Sequence, residues 1–150
     1  MTEPRSGSDE DRQLFCRIIT PERMIFDDAA DLVVARIADG EIGVLVNHAP
    51  VVSTVEFGEV RIRQGEDQTI FATSDGFFKV SENLVQILVE EAVPAGEIDV
   101  HEAENRVEEA ERELSRLSNG EGVERERAEI ERRERMGETL VHVARKYSEG

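Results

Sequence analysis

Tryptophan is absent from the chain, tyrosine and cysteine occur once each, and aromatic residues make up only 5% of it. A sugar-binding face built by ring stacking has almost nothing to work with. The single Cys16 excludes an internal disulfide and fits a reducing compartment. It lies in Leu14-Phe15-Cys16-Arg17-Ile18-Ile19, where it reads as a small buried hydrophobe rather than a reactive thiol. Nowhere do ~18 apolar residues run together, so no membrane-spanning helix is expected. Met1 to Gln13 is polar and acidic, without the apolar core of a secretory signal. Basic residues are also scarce, 18 against 34 acidic, for a net charge of −16. That balance argues against a nucleic-acid partner, whose binding rests on Lys/Arg counterion release. It also disfavours direct adsorption to anionic lipid.

What is present divides in two. The 150 residues are 39% hydrophobic, and Val, Ile, Leu and Phe cluster in the first hundred. Residues 1–12, with Pro4, Gly7 and Asp9-Glu10-Asp11, are expected to be a disordered acidic tail. From Leu14 the pattern is β. Leu14 to Ile19 is a strand stopped by Thr20-Pro21. Met24-Ile25-Phe26 is a short apolar patch closed by Asp27-Asp28. Leu32 to Ala38 places Val33, Ala35 and Ile37 on one face. Val60 and Ile62 alternate with Arg61 and Arg63. Thr69 to Thr73, Phe77 to Val80 and Leu84 to Val89 are three further strands, separated by Asp75-Gly76 and Ser81-Glu82-Asn83. Eight or more closely spaced short strands predict an all-β sandwich over residues 13–97. Parallel crossover units are not expected, because no helical pattern interrupts the strands. Val93-Pro94-Ala95-Gly96 reads as a linker.

Between the strands lies Gly40 to Gly58. Asp39-Gly40 is a turn signal. Ile42, Val44 and Val46 alternate along a strand that Asn47-His48-Ala49-Pro50 stops, since proline cannot donate a ladder hydrogen bond. Val51, Val52 and Val55 resume the β pattern. A loop carrying His48 is thus held out between two strands. By itself that histidine is equally readable as a bland surface residue or as a contact residue.

Residues 98–150 switch to a helical period. Val100, Ala103, Val107, Ala110, Leu114 and Leu117 follow at steps of 3, 4, 3, 4 and 3, a narrow coiled-coil seam. Asp99 is the expected N-cap, with Glu102 three residues on. Ser118-Asn119-Gly120-Glu121-Gly122 ends this helix, and a second runs from about Val123 to Tyr147. Its seam holds Val123, Ile130, Leu140, Val141 and Ala144, but Arg133 and Glu134 interrupt it. The fold class is therefore an all-β N-terminal sandwich plus a C-terminal helical hairpin of two antiparallel helices. Such a hairpin is marginal alone and must lean on a partner or on the sandwich. The second helix carries seven basic and six acidic residues in a strongly acidic chain. It is either a solvated helix, laced with pairs such as Glu129–Arg133 and Glu131–Arg135, or a docking face for an acidic partner.

Catalytic chemistry finds no constellation. His48, His101 and His142 fall in three elements without metal-ligand spacing. Gly40-Glu41-Ile42-Gly43 is a turn rather than a phosphate loop. Ser74 lacks a nucleophile elbow. Glu90 and Glu91 are neighbours on a strand end and point to opposite faces. No catalytic residue, cofactor or metal is expected.

The run Glu41-Ile42-Gly43, four residues, His48-Ala49-Pro50 and Gly58, followed by Ser74-Asp75-Gly76-Phe77-Phe78-Lys79-Val80, the Asn83 to Val89 strand and Ile98-Asp99, resembles the epsilon subunits of bacterial F-type, proton-translocating ATP synthases. The resemblance spans roughly Leu14 to Tyr147, departing at Val46, where the family often has proline. It implies a non-catalytic central-stalk subunit that couples the catalytic head to the membrane ring and regulates ATP hydrolysis. The implied partners are the gamma subunit, the ring-forming c subunits and the acidic loop of the catalytic beta subunits. Glu41 and His48 would face the ring, and Arg125, Arg127, Arg132, Arg133 and Arg135 would form the regulatory helix. The protein would be peripheral at the cytoplasmic side of the cell membrane. Some members bind ATP through Ile/Leu-Asp-x-x-Arg-Ala at the start of the first helix. Here Ile98-Asp99-Val100-His101-Glu102-Ala103 puts Glu102 in place of the arginine, and Glu109 replaces a second one. Weak or absent ATP binding follows, because a carboxylate repels phosphate. The reading set against the family is a coiled-coil adaptor with a β-sandwich module.

Overall fold

The computed structural model describes residues 12–117 and 123–148. The acidic tail expected over residues 1–12, apart from Arg12, and the turn expected at 118–122 lie outside them. Ten strands follow one another in the first part: β1 (Leu14–Ile19), β2 (Met24–Ala30), β3 (Leu32–Ile37), β4 (Gly40–Val44), β5 (Val51–Val55), β6 (Gly58–Gln64), β7 (Asp67–Thr73), β8 (Gly76–Ser81), β9 (Leu84–Val89) and β10 (Ala92–Pro94). They form two five-stranded sheets, ordered β2-β1-β9-β8-β5 and β10-β7-β6-β3-β4.

Alternation builds the core. Leu14, Cys16 and Ile18 of β1, Val33 and Ala35 of β3, Val60 and Ile62 of β6, and Val85 and Ile87 of β9 are fully buried around Phe78. Phe26 meets Phe71 edge-on, with ring centroids 5.8 Å apart. Burial pushes the Cys16 thiol up to about 12, so it is a hydrophobe and not a nucleophile. The expected alternation of Val33, Ala35, Val60 and Ile62 is the one observed.

Three details differ from the sequence reading. Met24-Ile25-Phe26 is not an isolated patch: the strand continues to Ala30, because Asp27 sits opposite Arg17 on β1 and pairs with it at 3.2 Å. Asp27 therefore extends the strand instead of closing it. Secondly, β1 runs parallel to β9, Phe15 lying opposite Leu84. No local crossover is involved; seven intervening strands make the connection. Thirdly, Val93-Pro94-Ala95-Gly96 is not a free linker. Ala92–Pro94 joins the edge of the second sheet, and Ala95–Glu97 forms a 3-10 turn.

The described residues fall into two compact units meeting between Ala92 and Val93. The second unit holds α1 (Val100–Arg116) and α2 (Val123–Lys146). Asp99 caps α1, its carboxylate accepting from the N–H groups of His101 (3.0 Å) and Glu102 (3.2 Å). Ala103 and Ala110 are buried on α1, and Ile130, Leu140 and Ala144 on α2. Met136, Gly137 and Val143, absent from the expected seam, are buried too. Gly137 is the point of closest approach. A Cβ there would lie 2.8 Å from the Val107 Cγ2 and 3.4 Å from the Ala103 carbonyl oxygen.

Gly76 shows the same constraint within the sandwich. It pairs with Val89, and a Cβ would lie 2.0 Å from the backbone oxygen of Leu88. That atom belongs to a central strand and cannot swing away. Gly76→Ala should therefore lower stability by ~1–3 kcal/mol, read as a reduced urea midpoint with an unchanged slope.

Candidate functional site

The two sheets share one open side. β4 is the edge strand of the second sheet and β5 the edge of the first. The chain crosses from one to the other through residues 45–50, which make no ladder. Asn47 sits there at φ 67°, a conformation Asn tolerates well. His48 N–H donates to the Leu45 carbonyl at 3.2 Å, and its ring Nδ1 lies 2.7 Å from the Ala49 oxygen. His48 is half-buried within its own loop.

Glu41 and His48, the two residues that the resemblance would turn toward the ring, lie on different elements, and only His48 is on this loop. Glu41 is not in it but near the start of β4, beside the β3–β4 turn. About 10 Å of strand at ~3.3 Å per residue lies between Glu41 and Val44, before the loop begins. Together they mark the two ends of an exposed edge strip. Glu41 is held there by Arg61 of β6, whose two terminal nitrogens reach both carboxylate oxygens at 3.1 and 3.3 Å. Arg61 also binds Glu59 at 2.7 Å. These hydrogen bonds raise the already high guanidinium pKa further, fixing one positive charge between two acids.

Sequence reasoning missed what holds the loop. Asn47 N–H donates to the Asn83 side-chain oxygen at 2.6 Å, and Arg12 donates to the Asn47 side-chain oxygen at 3.0 Å. Asn83 is the second residue of the β8–β9 turn, in which Glu82 and Asn83 both have positive φ (52° and 64°), the type I′ geometry. The turn signal at Ser81-Glu82-Asn83 was visible; the contact between residues 36 positions apart was not.

The outward face of the first sheet is banded. Met24, Ile19, Leu88, Phe77 and Thr54 stand opposite one another across all five strands. A polar row of Asp27, Arg17, Gln86 and Lys79 runs beside it and ends at Val52. Phe77 is 63% and Val52 72% exposed. Ser74, by contrast, is buried. Its hydroxyl accepts from the N–H groups of Glu90 and Glu91, stapling the β7 end to the β9 end. Among the described residues no three His, Cys, Asp or Glu side chains converge on a metal-sized site.

With this geometry in place, the comparisons with known proteins are decisive. The beta-sandwich domain of the ATP synthase Delta/Epsilon chain family matches residues 13–95. A relative named ATP synthase epsilon chain, from Rubrobacter xylanophilus, is 65% identical over 143 residues, 94% of this chain and 98% of the relative. The chain belongs to the ATP synthase epsilon-chain family. A further epsilon chain, from Desulforamulus reducens, is 39% identical, covering 75% of this chain and 84% of its own length. A chain in the structure of the Euglena gracilis mitochondrial ATP synthase, described as OSCP/F1/c-ring, overlays with a TM-score of 0.68 at 27% identity. That overlay covers 85% of this chain and 79% of the other. A Tetrahymena thermophila mitochondrial ATP synthase chain shares the fold, with a TM-score of 0.55 at 12% identity, covering 90% and 96%. Epsilon chains are non-catalytic subunits of their complex, and this family membership makes the chain one.

The hairpin arginines differ in their surroundings. Arg127 donates to the Leu117 carbonyl at 2.8 Å, closing the C-terminal end of α1. Arg133 pairs with Glu113 of α1 at 2.9 Å, with Glu129 acting on it through charge. The interruption of the seam at Arg133 is thus an exposed cross-helix bridge. Arg145 pairs with Glu104 at the far end. Arg125, Arg132 and Arg135 are exposed. Asp99 is engaged in its cap, and Glu102 and Glu109 are exposed.

Glu113 and Glu134 titrate in opposite directions. The hydrogen bond from Arg133 lowers the Glu113 pKa below its ordinary 4.5. Burial raises that of Glu134 above 4.5, helped by Glu138, Glu111 and Glu131. A raised folded-state pKa means stability is gained as pH falls from neutral through that value. A lowered one means stability present above 4.5 is lost as pH falls through the folded value. The hairpin should therefore firm up on mild acidification and weaken below about 4.5. Glu134→Gln should slow amide exchange along α1 at pH 7 and remove the gain seen as pH falls from 7 toward the ordinary carboxylate value. An unchanged pH profile in the variant would detach Glu134 from it.

Proposed function

We propose that the chain is a central-stalk subunit of a proton-translocating ATP synthase. Its sandwich docks on the stalk's gamma subunit, its β4 edge faces the c-ring, and its hairpin limits ATP hydrolysis by the catalytic beta subunits. The observation that carries this reading is the apolar row of Met24, Ile19, Leu88 and Phe77 on an otherwise highly charged molecule. Contiguous exposed apolar surface of this kind marks a protein interface. Family membership supports the long stalk coiled coil as its occupant. The Euglena neighbour's place in an assembly with F1 and a c-ring supports the same setting. The chain would reach the membrane as a peripheral subunit of the complex, on the cytoplasmic side. No helix among the described residues is long and apolar enough to cross a membrane.

The test is substitution within that row. Phe77→Glu puts a charge in the middle of the face, and its 63% exposure in the free chain makes folding tolerant of it. The substituted subunit should be lost from the assembled enzyme on washing, while the parent stays. Retention equal to the parent would remove this face from the interface.

The edge and the arm carry separate assignments. Glu41 and His48 contact the polar loops of the ring. Arg125, Arg127, Arg132, Arg133 and Arg135 pair with carboxylates of the beta subunits when the arm extends. Exposed pairs contribute ~0–1 kcal/mol each, and several together reach the few kcal/mol that switching requires. Because Arg127 and Arg133 are engaged within the hairpin, extension exchanges one set of acceptors for another. Cysteines at positions 41 and 48 should crosslink to the ring loop, and replacing all five arginines with glutamine should raise ATP hydrolysis by the assembled enzyme. Hydrolysis no faster than the parent's would leave these charges as a solvated face.

A further inference from the structure

We propose that Asn83, on the β8–β9 turn, is the positioning residue of the His48 loop: it clasps Asn47 and so fixes where His48 is presented. The proposal rests on the reading that this loop meets the ring, and adds the part that holds the loop still. Residues 45–50 have no ladder partners, and Pro50 has no N–H to offer. The internal bonds of the loop, His48 N–H to the Leu45 carbonyl and the ring to the Ala49 oxygen, shape it without attaching it.

Attachment comes at Asn47. Its N–H donates to the Asn83 side-chain oxygen at 2.6 Å. The Asn83 side-chain nitrogen reaches back to the Asn47 side-chain oxygen at 3.4 Å, and the Arg12 guanidinium donates to that same oxygen at 3.0 Å. Asn83 is itself anchored, because its carbonyl accepts from Phe15 N–H at 2.9 Å. The clasp therefore ties the loop to β1 and the β8–β9 turn, both inside the first sheet. Two left-handed asparagines make the reciprocal geometry possible, at φ 67° and 64°. The Asn side-chain amide can accept and donate at once. His48 is the next residue in the chain, so the tie acts one peptide away from the contact side chain.

Two variants separate positioning from mere structure. Asn83→Gly keeps the left-handed backbone without strain and removes the side chain. Asn83→Asp restores an acceptor for the Asn47 N–H. In the isolated full chain, the Asn47 amide should exchange about three- to tenfold faster in the Gly variant and near the parent rate in the Asp variant. In the assembled enzyme, protons pumped per ATP hydrolysed should fall with Gly and recover with Asp. Parent-like exchange of the Asn47 amide in the Gly variant, or an Asp variant no better than Gly, would overturn the clasp. Faster exchange with unchanged pumping would uphold the clasp and overturn the ring contact instead.

Discussion

The chain leaves one sheet at Val44 and enters the other at Val51, and the six residues between must make that crossing. They do so over the side of the sandwich where both sheets end. A crossing of this kind cannot be paired, because the strands it joins hydrogen-bond to different neighbours. The loop's exposure is therefore a consequence of topology before it is a feature of function. What topology leaves loose, side chains must secure, through Asn47 and Asn83, while Arg61 with Glu41 steadies the strand that leads into the crossing. The rigid scaffold positions and the loop presents, the usual division of labour between sheets and their connections.

The hairpin solves a different problem. Two helices with a thin apolar seam hold together through close approach at Gly137 and through arginines reaching from α2 to acceptors on α1. Charge pairs at an exposed surface are weak and exchangeable. The buried seam itself is short, with Ala103 and Ala110 on α1 facing Ile130, Met136, Leu140, Val143 and Ala144 on α2, so the exposed bridges add to a modest apolar contact. The acidic residues that flank the bridges add a dependence on pH to that balance.

Much of the sandwich could be read in advance because period-2 alternation reports burial directly. Val33 and Ala35, or Val60 and Ile62, need only one face to be dry. Asp27 misled because its charge is satisfied across a strand by Arg17, information held ten residues away. Ala92–Pro94 misled because a proline at a sheet edge resembles a linker until its neighbours are known. On α2, Met136 and Val143 fall off the heptad read from Ile130, and Gly137 looks like a helix weakness rather than a close approach. His48 stands out in the sequence by its place in a motif. Asn83, which holds its neighbour, belongs to a turn whose long-range contact no local pattern announces.

The parallel pairing of β1 with β9 bears on how the molecule forms. The second strand to be added beside β1 is made some seventy residues later, so the first sheet cannot close until almost all of the sandwich has left the ribosome. Non-local pairing of this kind slows folding. β1 must wait with one side open, and β2, charged at Asp27 and Asp28, is the neighbour that accompanies it. The helices are synthesised only afterwards. The arm emerges when every strand of the sandwich is already available, and the order of synthesis separates the two units in time as the boundary at Val93 separates them along the chain.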